Sequence, residues 1–161
     1  MKKCFILGLI SLFFILCGCK TAKDIFLSSD GLRADAVVEY EGETYEMEII
    51  TGLSGTFCAT VTKPLDRLIY KSMVDSVIIT YKGQEWSGVK PVKKSMFTII
   101  SNVLANACNS SSPARPCGKG EYVLEGGSDW GDYILVLDIS GRPLRLNVPS
   151  CGLVTVFVIS E

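Results

Sequence analysis

Residues 34–49 read ADAVVEYEGETYEMEI, and the alternation within this stretch decides the class of fold. Ala34, Ala36, Val38 and Tyr40 fall on one face, with Arg33, Asp35 and Glu39 on the other. Glu41-Gly42-Glu43 reads as a hairpin turn, after which Tyr45, Met47 and Ile49 resume the alternation opposite Glu46 and Glu48. A period of two is that of a strand with one buried face. Two such runs joined by a short Gly-containing turn form an antiparallel hairpin.

The pattern continues toward the C-terminus. Gly52 to Gly55 turns the chain, and Thr56–Thr62 is a third strand with Phe57, Ala59 and Val61 on one side. Pro64 marks a break, Leu65–Tyr70 is short and apolar, and Val77–Tyr81 is a β-branched strand followed by Lys82-Gly83 and Trp86. The period then changes. Met96, Ile99, Ile100, Val103, Leu104 and Ala107 recur at helical spacing, with Ser95 as N-cap. The opposite face, Thr98, Ser101, Asn102 and Asn106, carries no charge, which fits a helix lying on a sheet. After a loop at Asn109–Gly120, four more strands follow: Glu121–Glu125, Tyr133–Ser140, Pro143–Val148 and Leu153–Ser160. In the last, Val154, Val156 and Val158 oppose Leu153, Phe157 and Ile159, which predicts burial on both sides. The sum is a mainly β (α+β) domain over 33–161. It is expected to be a curved antiparallel sheet or half-barrel of about eight or nine strands, with one helix on its concave face.

The N-terminus has a different character. Lys2 and Lys3 precede an apolar run from Phe5 to Leu16, broken only by Gly8 and Ser11. A membrane-spanning helix needs about twenty apolar residues, so this run fits the h-region of a secretory signal over 1–18. It ends in Leu16-Cys17-Gly18-Cys19, which resembles the bacterial lipobox. The resemblance implies cleavage before Cys19 and acyl chains, palmitate among them, on its thiol. Two or three chains anchor stably, at about 0.8 kcal/mol for each buried methylene. The expected location is the outer membrane or the outer face of the plasma membrane. Residues 19–32 then form a lipidated Cys and polar tether, with 20–31 holding the domain off the membrane.

The chain has seven Cys. Cys4 and Cys17 leave with the signal and Cys19 takes lipid, leaving Cys58, Cys108, Cys117 and Cys151. An even number in an exported domain reads as disulfides. Of the three connectivities, Cys108–Cys117 around the Asn109–Pro116 loop is favoured, leaving Cys58–Cys151. No C-x-x-C lies in the mature part and His is absent from the whole chain, so no zinc site, other metal site or cofactor is expected.

The order of elements resembles the lipoprotein-carrier (LolA/LolB-like) superfamily from about Ala34 onward. The residues that carry the resemblance are 36–45 around the Glu-Gly turn, Lys63-Pro64-Leu65, Val77–Tyr81 with Lys82-Gly83, Gly120-Glu121-Tyr122, Tyr133–Asp138, and the late hairpin Ser140–Leu144. It implies a curved sheet whose hydrophobic concavity receives acyl chains or a partner segment. A protein anchored by its own lipid is then a fixed acceptor or a structural subunit rather than a shuttle.

Other constellations carry less. Glu43, Glu46 and Glu48 read as the solvated face of a strand, because paired catalytic carboxylates come from separate elements across a cleft. Ser128–Asp132 reads as a turn rather than a cation loop, and Gly118-Lys119-Gly120 lacks P-loop spacing. Trp86 and Trp130 either line a groove or close the ends of the core. Without His no Ser-His-Asp site exists, and no catalytic residues are assigned. Acidic residues number 17 against 16 basic, and the signal removes two lysines, so no basic face points to nucleic acid. The expected function is non-enzymatic: lipid or lipoprotein acyl chains held against Tyr45, Met47, Phe57, Met96, Ile99 and Val103. The alternative is an interaction subunit of a cell-envelope complex with a packed core and an envelope protein as partner.

Overall fold

The hairpin at 34–49 seeds the sheet. In the computed structural model, which describes residues 24–28, 31–52, 55–89 and 94–158, β1 (Leu32–Tyr40) and β2 (Glu43–Thr51) pair in antiparallel register. The turning residues Glu41 and Gly42 both take positive φ, 54° and 84°. That is the backbone twist two-residue hairpins favour. Ala34 lies opposite Ile49 and Ala36 opposite Met47, and all four are buried. From β2 the chain meanders outward through β3 (Phe57–Lys63), β4 (Leu68–Ser72), β5 (Ser76–Tyr81) and β6 (Gln84–Val89). Lys82 and Gly83, again both at positive φ, make the last of these turns.

Helix α1 (Met96–Cys108) then carries the chain to the far edge. Its start is a capping box: the Thr98 amide donates to Ser95 Oγ (3.3 Å), and the Ser95 amide donates to Thr98 Oγ1 (2.9 Å). A second meander returns through β7 (Arg115–Gly118), β8 (Glu121–Ser128), β9 (Gly131–Leu137), β10 (Pro143–Val148) and a 3-10 turn at Pro149–Cys151 to β11 (Leu153–Val158). β11 pairs with β1, joining the two meanders into one sheet in the order β6-β5-β4-β3-β2-β1-β11-β10-β9-β8-β7. The sheet is open, with β6 and β7 as its edges.

Eleven strands replace the eight or nine expected. The additions are β4, β6 and β7. β6 is exposed at every position and β7 contains Pro116, so neither shows the alternation of a half-buried strand. Hydrogen bonds to one neighbour define them, and a Pro is tolerated there because an edge strand can forgo one bond. β11 also differs from expectation. Leu153, Thr155 and Phe157 are buried, whereas Val154, Val156 and Val158 are 38%, 42% and 55% exposed. The helix covers one face of the sheet, and β-branched residues on the other face favour the extended backbone without being sealed.

Residues 24–28 are not a free tether. Ile25 and Leu27 are buried. The Ile25 carbonyl accepts the Ala114 amide (2.7 Å), and the Ser28 amide donates to the Gly141 carbonyl (2.9 Å). This strap passes over Gly141, whose φ is +80° and where a Cβ would stand 2.2 Å from the Phe26 carbonyl oxygen. Only glycine fits there without displacing the strap. The signal region 1–18 and Cys19 lie outside the described residues.

The expected disulfides are absent: Cys58, Cys108, Cys117 and Cys151 are all free. Between Cys58 in β3 and Cys151 before β11 stand β2 and β1. Three strand spacings amount to roughly 14 Å, about twice the Cα separation a disulfide permits. Cys108 directs its sulfur toward the Ser28 carbonyl of the strap (4.0 Å), while Cys117 is exposed on edge strand β7.

Candidate functional site

The two halves of the helix meet different surroundings. At the start, Phe97 stacks on Tyr70 of β4, with ring centroids 4.7 Å apart and 10° between planes. Ile99, Ile100 and Val103 have no exposed surface. Farther along, Asn102 Nδ2 donates to Asp129 Oδ2 (2.9 Å), and Asn106 Nδ2 to the Gly127 carbonyl (3.4 Å), tying the polar face to the β8–β9 hairpin.

Beyond Val103 the packing opens into a cavity of about 470 Å³. Its apolar wall is Leu27 of the strap, Leu32, Phe57, Leu104, Ala105 and Pro143. Ser28, Thr51, Thr56, Ser101 and Asn109 add neutral polar groups, and Cys108 contributes a thiol. Burial pushes the Cys108 thiol pKa up, which keeps it protonated near neutrality. The space arises where β1 begins, β2 ends and β3 begins, so the strands stop before the helix does. The strap closes one side.

Arg33 and Arg142 also border this space, though Arg33 turns its side chain to the other face of the sheet, where it is largely exposed. Each is held by a carboxylate. Glu48 Oε1 accepts from Arg33 Nε (2.8 Å) and Nη2 (2.7 Å). Asp138 is more thoroughly bound. Its Oδ1 accepts the Ser140 and Arg142 amides (2.7 and 2.9 Å), and its Oδ2 accepts Arg142 Nε (2.8 Å). Burial pushes the Asp138 carboxyl up, but the Arg142 and Ser140 donors outweigh it and hold the pKa below the usual carboxylate value.

Of the six residues expected to contact lipid, Phe57 lines the cavity. Met47, Met96, Ile99 and Val103 are buried in the shared core, and Tyr45 is half-buried at its margin. The cavity therefore lies one to two helical turns C-terminal to the face expected from periodicity. Leu104, Ala105, Arg33, Arg142 and strap residue Leu27 were not singled out as ligand contacts. The apolar alternation Ile25, Leu27 was the available sign that the strap packs. Trp130 packs against the core, whereas Trp86 is half exposed on β6 and neither borders the cavity. Among the described residues, no group of three or more His, Cys, Asp or Glu could hold a metal ion. Among them also, no helix is long and apolar enough to cross a membrane.

No known protein family matches the sequence, and no curated protein matches it. Among solved structures, the chain is similar to a LolA superfamily protein from Nitrosomonas europaea. The two are 12% identical with a TM-score of 0.48, over 85% of this chain and 87% of that one.

Proposed function

We propose that the protein is an exported lipoprotein, anchored through acyl chains on Cys19, that holds a lipid acyl chain in the cavity beside the C-terminal half of α1. The observation that carries this reading is the cavity itself: about 470 Å³, walled by Leu27, Leu32, Phe57, Leu104 and Pro143. That volume lies within the range of small-molecule sites, and a mostly apolar wall with few polar groups is their usual composition. The role is binding, with no reaction assigned.

The test is lipid extraction from protein purified out of membranes, followed by mass spectrometry of the bound fraction. A stoichiometric acyl lipid, separate from the mass carried by Cys19, is the expected result. Ala105 is exposed and faces the cavity. Ala105→Trp places an indole in the space and should remove the bound lipid while leaving the fold intact. Lipid retained at the same stoichiometry in that variant rejects this cavity as the site. An unmodified Cys19 in the membrane fraction rejects the anchor.

A further inference from the structure

The two edges of the sheet are not alike. β7 is blunted against pairing: Pro116 lacks an amide, the register with β8 shifts between Pro116 and Gly118, and Gly118 and Lys119 take positive φ. β6 carries none of these devices. It pairs with β5 in unbroken register from Gln84 to Val89, contains no Pro or Lys, and is exposed at every position. Among the described residues, β5 is its only neighbour. The two-residue turn at Lys82-Gly83 makes Tyr81 and Gln84 a hydrogen-bonded pair, so the backbone groups of Gln84, Trp86 and Gly88 face β5. Those of Glu85, Ser87 and Val89 face away from the sheet. The Ser76 carbonyl, opposite Val89, accepts the Met73 amide on the β4 side (2.9 Å), as this phase requires.

The side chains of this edge complement themselves. Trp86 lies opposite Ile79 and Gly88 opposite Val77, so both stand on the helix-covered face. Trp86 is half exposed, and a Cβ on Gly88 would meet nothing within 4 Å. We propose that β6 pairs with β6 of a second copy of this chain, antiparallel about a two-fold axis at Ser87. Ser87 then faces Ser87, each Glu85 faces the other copy's Val89, and each Trp86 covers the other copy's Gly88. An aromatic ring laid over a cross-strand glycine completes an edge that the glycine leaves bare. Glu85, the charged side chain of β6, meets Val89 and not its own counterpart. Moving the axis to Trp86 would set ring against ring and leave the Val89 backbone unpaired.

The full chain carrying Ser87→Cys is oxidised in its membranes with copper phenanthroline, and disulfides are mapped by peptide mass spectrometry. Position 87 should join position 87 of the second copy, because facing Cα atoms in a hydrogen-bonded pair, about 5.5 Å apart, are within disulfide reach. Glu85→Cys should not join itself, since its counterpart stands roughly 14 Å along the strand. Co-expressed with Val89→Cys, it should join position 89. Gly88→Val fills the seat of the ring without crowding its own chain, and Trp86→Ala removes the ring. In vesicles of the Ser87→Cys chain, either change should raise the protein-to-lipid ratio needed for half-maximal cross-linking on the order of tenfold, the scale of two cross-strand pairs. Buried Cys151, closed to maleimide in every variant, reports that the fold is retained.

A disulfide from position 87 to Cys117 would identify head-to-tail pairing of β6 with β7 and overturn the two-fold dimer. Equal self-joining at 85, 87 and 89 indicates random collision, and no cross-link at any of them indicates a free edge; either result rejects the proposal. Cross-linking at 87 that Gly88→Val leaves unchanged rejects the seating of Trp86.

Discussion

The two halves of α1 share one backbone and one amphipathic pattern, yet they have opposite relations to space. The core-facing side of Met96 to Val103 is sealed: Phe97 stacks on Tyr70, and Ile99, Ile100 and Val103 have no exposed surface. Leu104 to Cys108 borders a void of about 470 Å³. The difference comes from what lies beneath. The first half rests on continuous strands, and the second overhangs the point where β1, β2 and β3 start or stop, with the strap as its other wall. One half of the helix fixes the fold and the other is available for a ligand.

This division yields unequal responses to substitution. Ile99→Ala should cost about 4 kcal/mol, near the upper end for removing a buried aliphatic side chain, because nothing nearby can collapse into the gap. Urea unfolding measures it, and a loss under 1 kcal/mol would mean that the sealed half is not sealed. Gly141→Ala should cost about 2 kcal/mol, from the positive φ and the collision with the strap. Faster protease cleavage within 24–28, with the remaining sheet protected, is its signature. Leu104→Ala should also cost about 2 kcal/mol, at the low end for such truncations, because the residue already borders a void. A cost equal to that of Ile99→Ala would erase the distinction between the halves.

A smaller effect concerns pH. The native pKa of Asp138 is lowered relative to the unfolded chain, so its contribution to stability is present above the ordinary carboxylate value of about 4. It is lost as pH falls through the still lower native pKa. Asp138→Asn should therefore reduce thermal stability near neutrality, with the gap to wild type closing in acid. A gap unchanged at pH 2 would show that the donors around Asp138 do not favour its charged form.

The helix from Met96 was legible in the sequence, and so was the 34–49 hairpin, though Met96, Ile99 and Val103 were expected to meet lipid and are packed in the core instead. Both rest on local signals: a period of two or 3.6, a Glu-Gly turn, and a Ser95 cap three residues before Thr98. The edge strands β6 and β7 were not, because Gln84–Val89 and Arg115–Gly118 bury no face and become strands only through a neighbour. The cavity was hidden for a related reason. Periodicity marks Ile99 and Leu104 alike as inward-facing, and only the ends of distant strands decide which meets a neighbour and which meets empty space. The pairing expected for Cys58 and Cys151 used their number, whereas strand order sets their separation. Phe57 lines the cavity because it is the first inward residue of β3.

The docked strap changes the reach of the molecule. With Cys19 acylated as proposed, five residues separate it from Ile25, which is already fixed to the domain at Ala114. Even fully extended, that leash spans roughly 20 Å. The strap also forms a lip of the cavity, so the opening travels no farther from the lipid surface than the leash allows. Under that proposal a ligand would be exchanged only with the leaflet that carries the anchor, or with something brought to it, as in a stationary receiver and not a carrier between membranes.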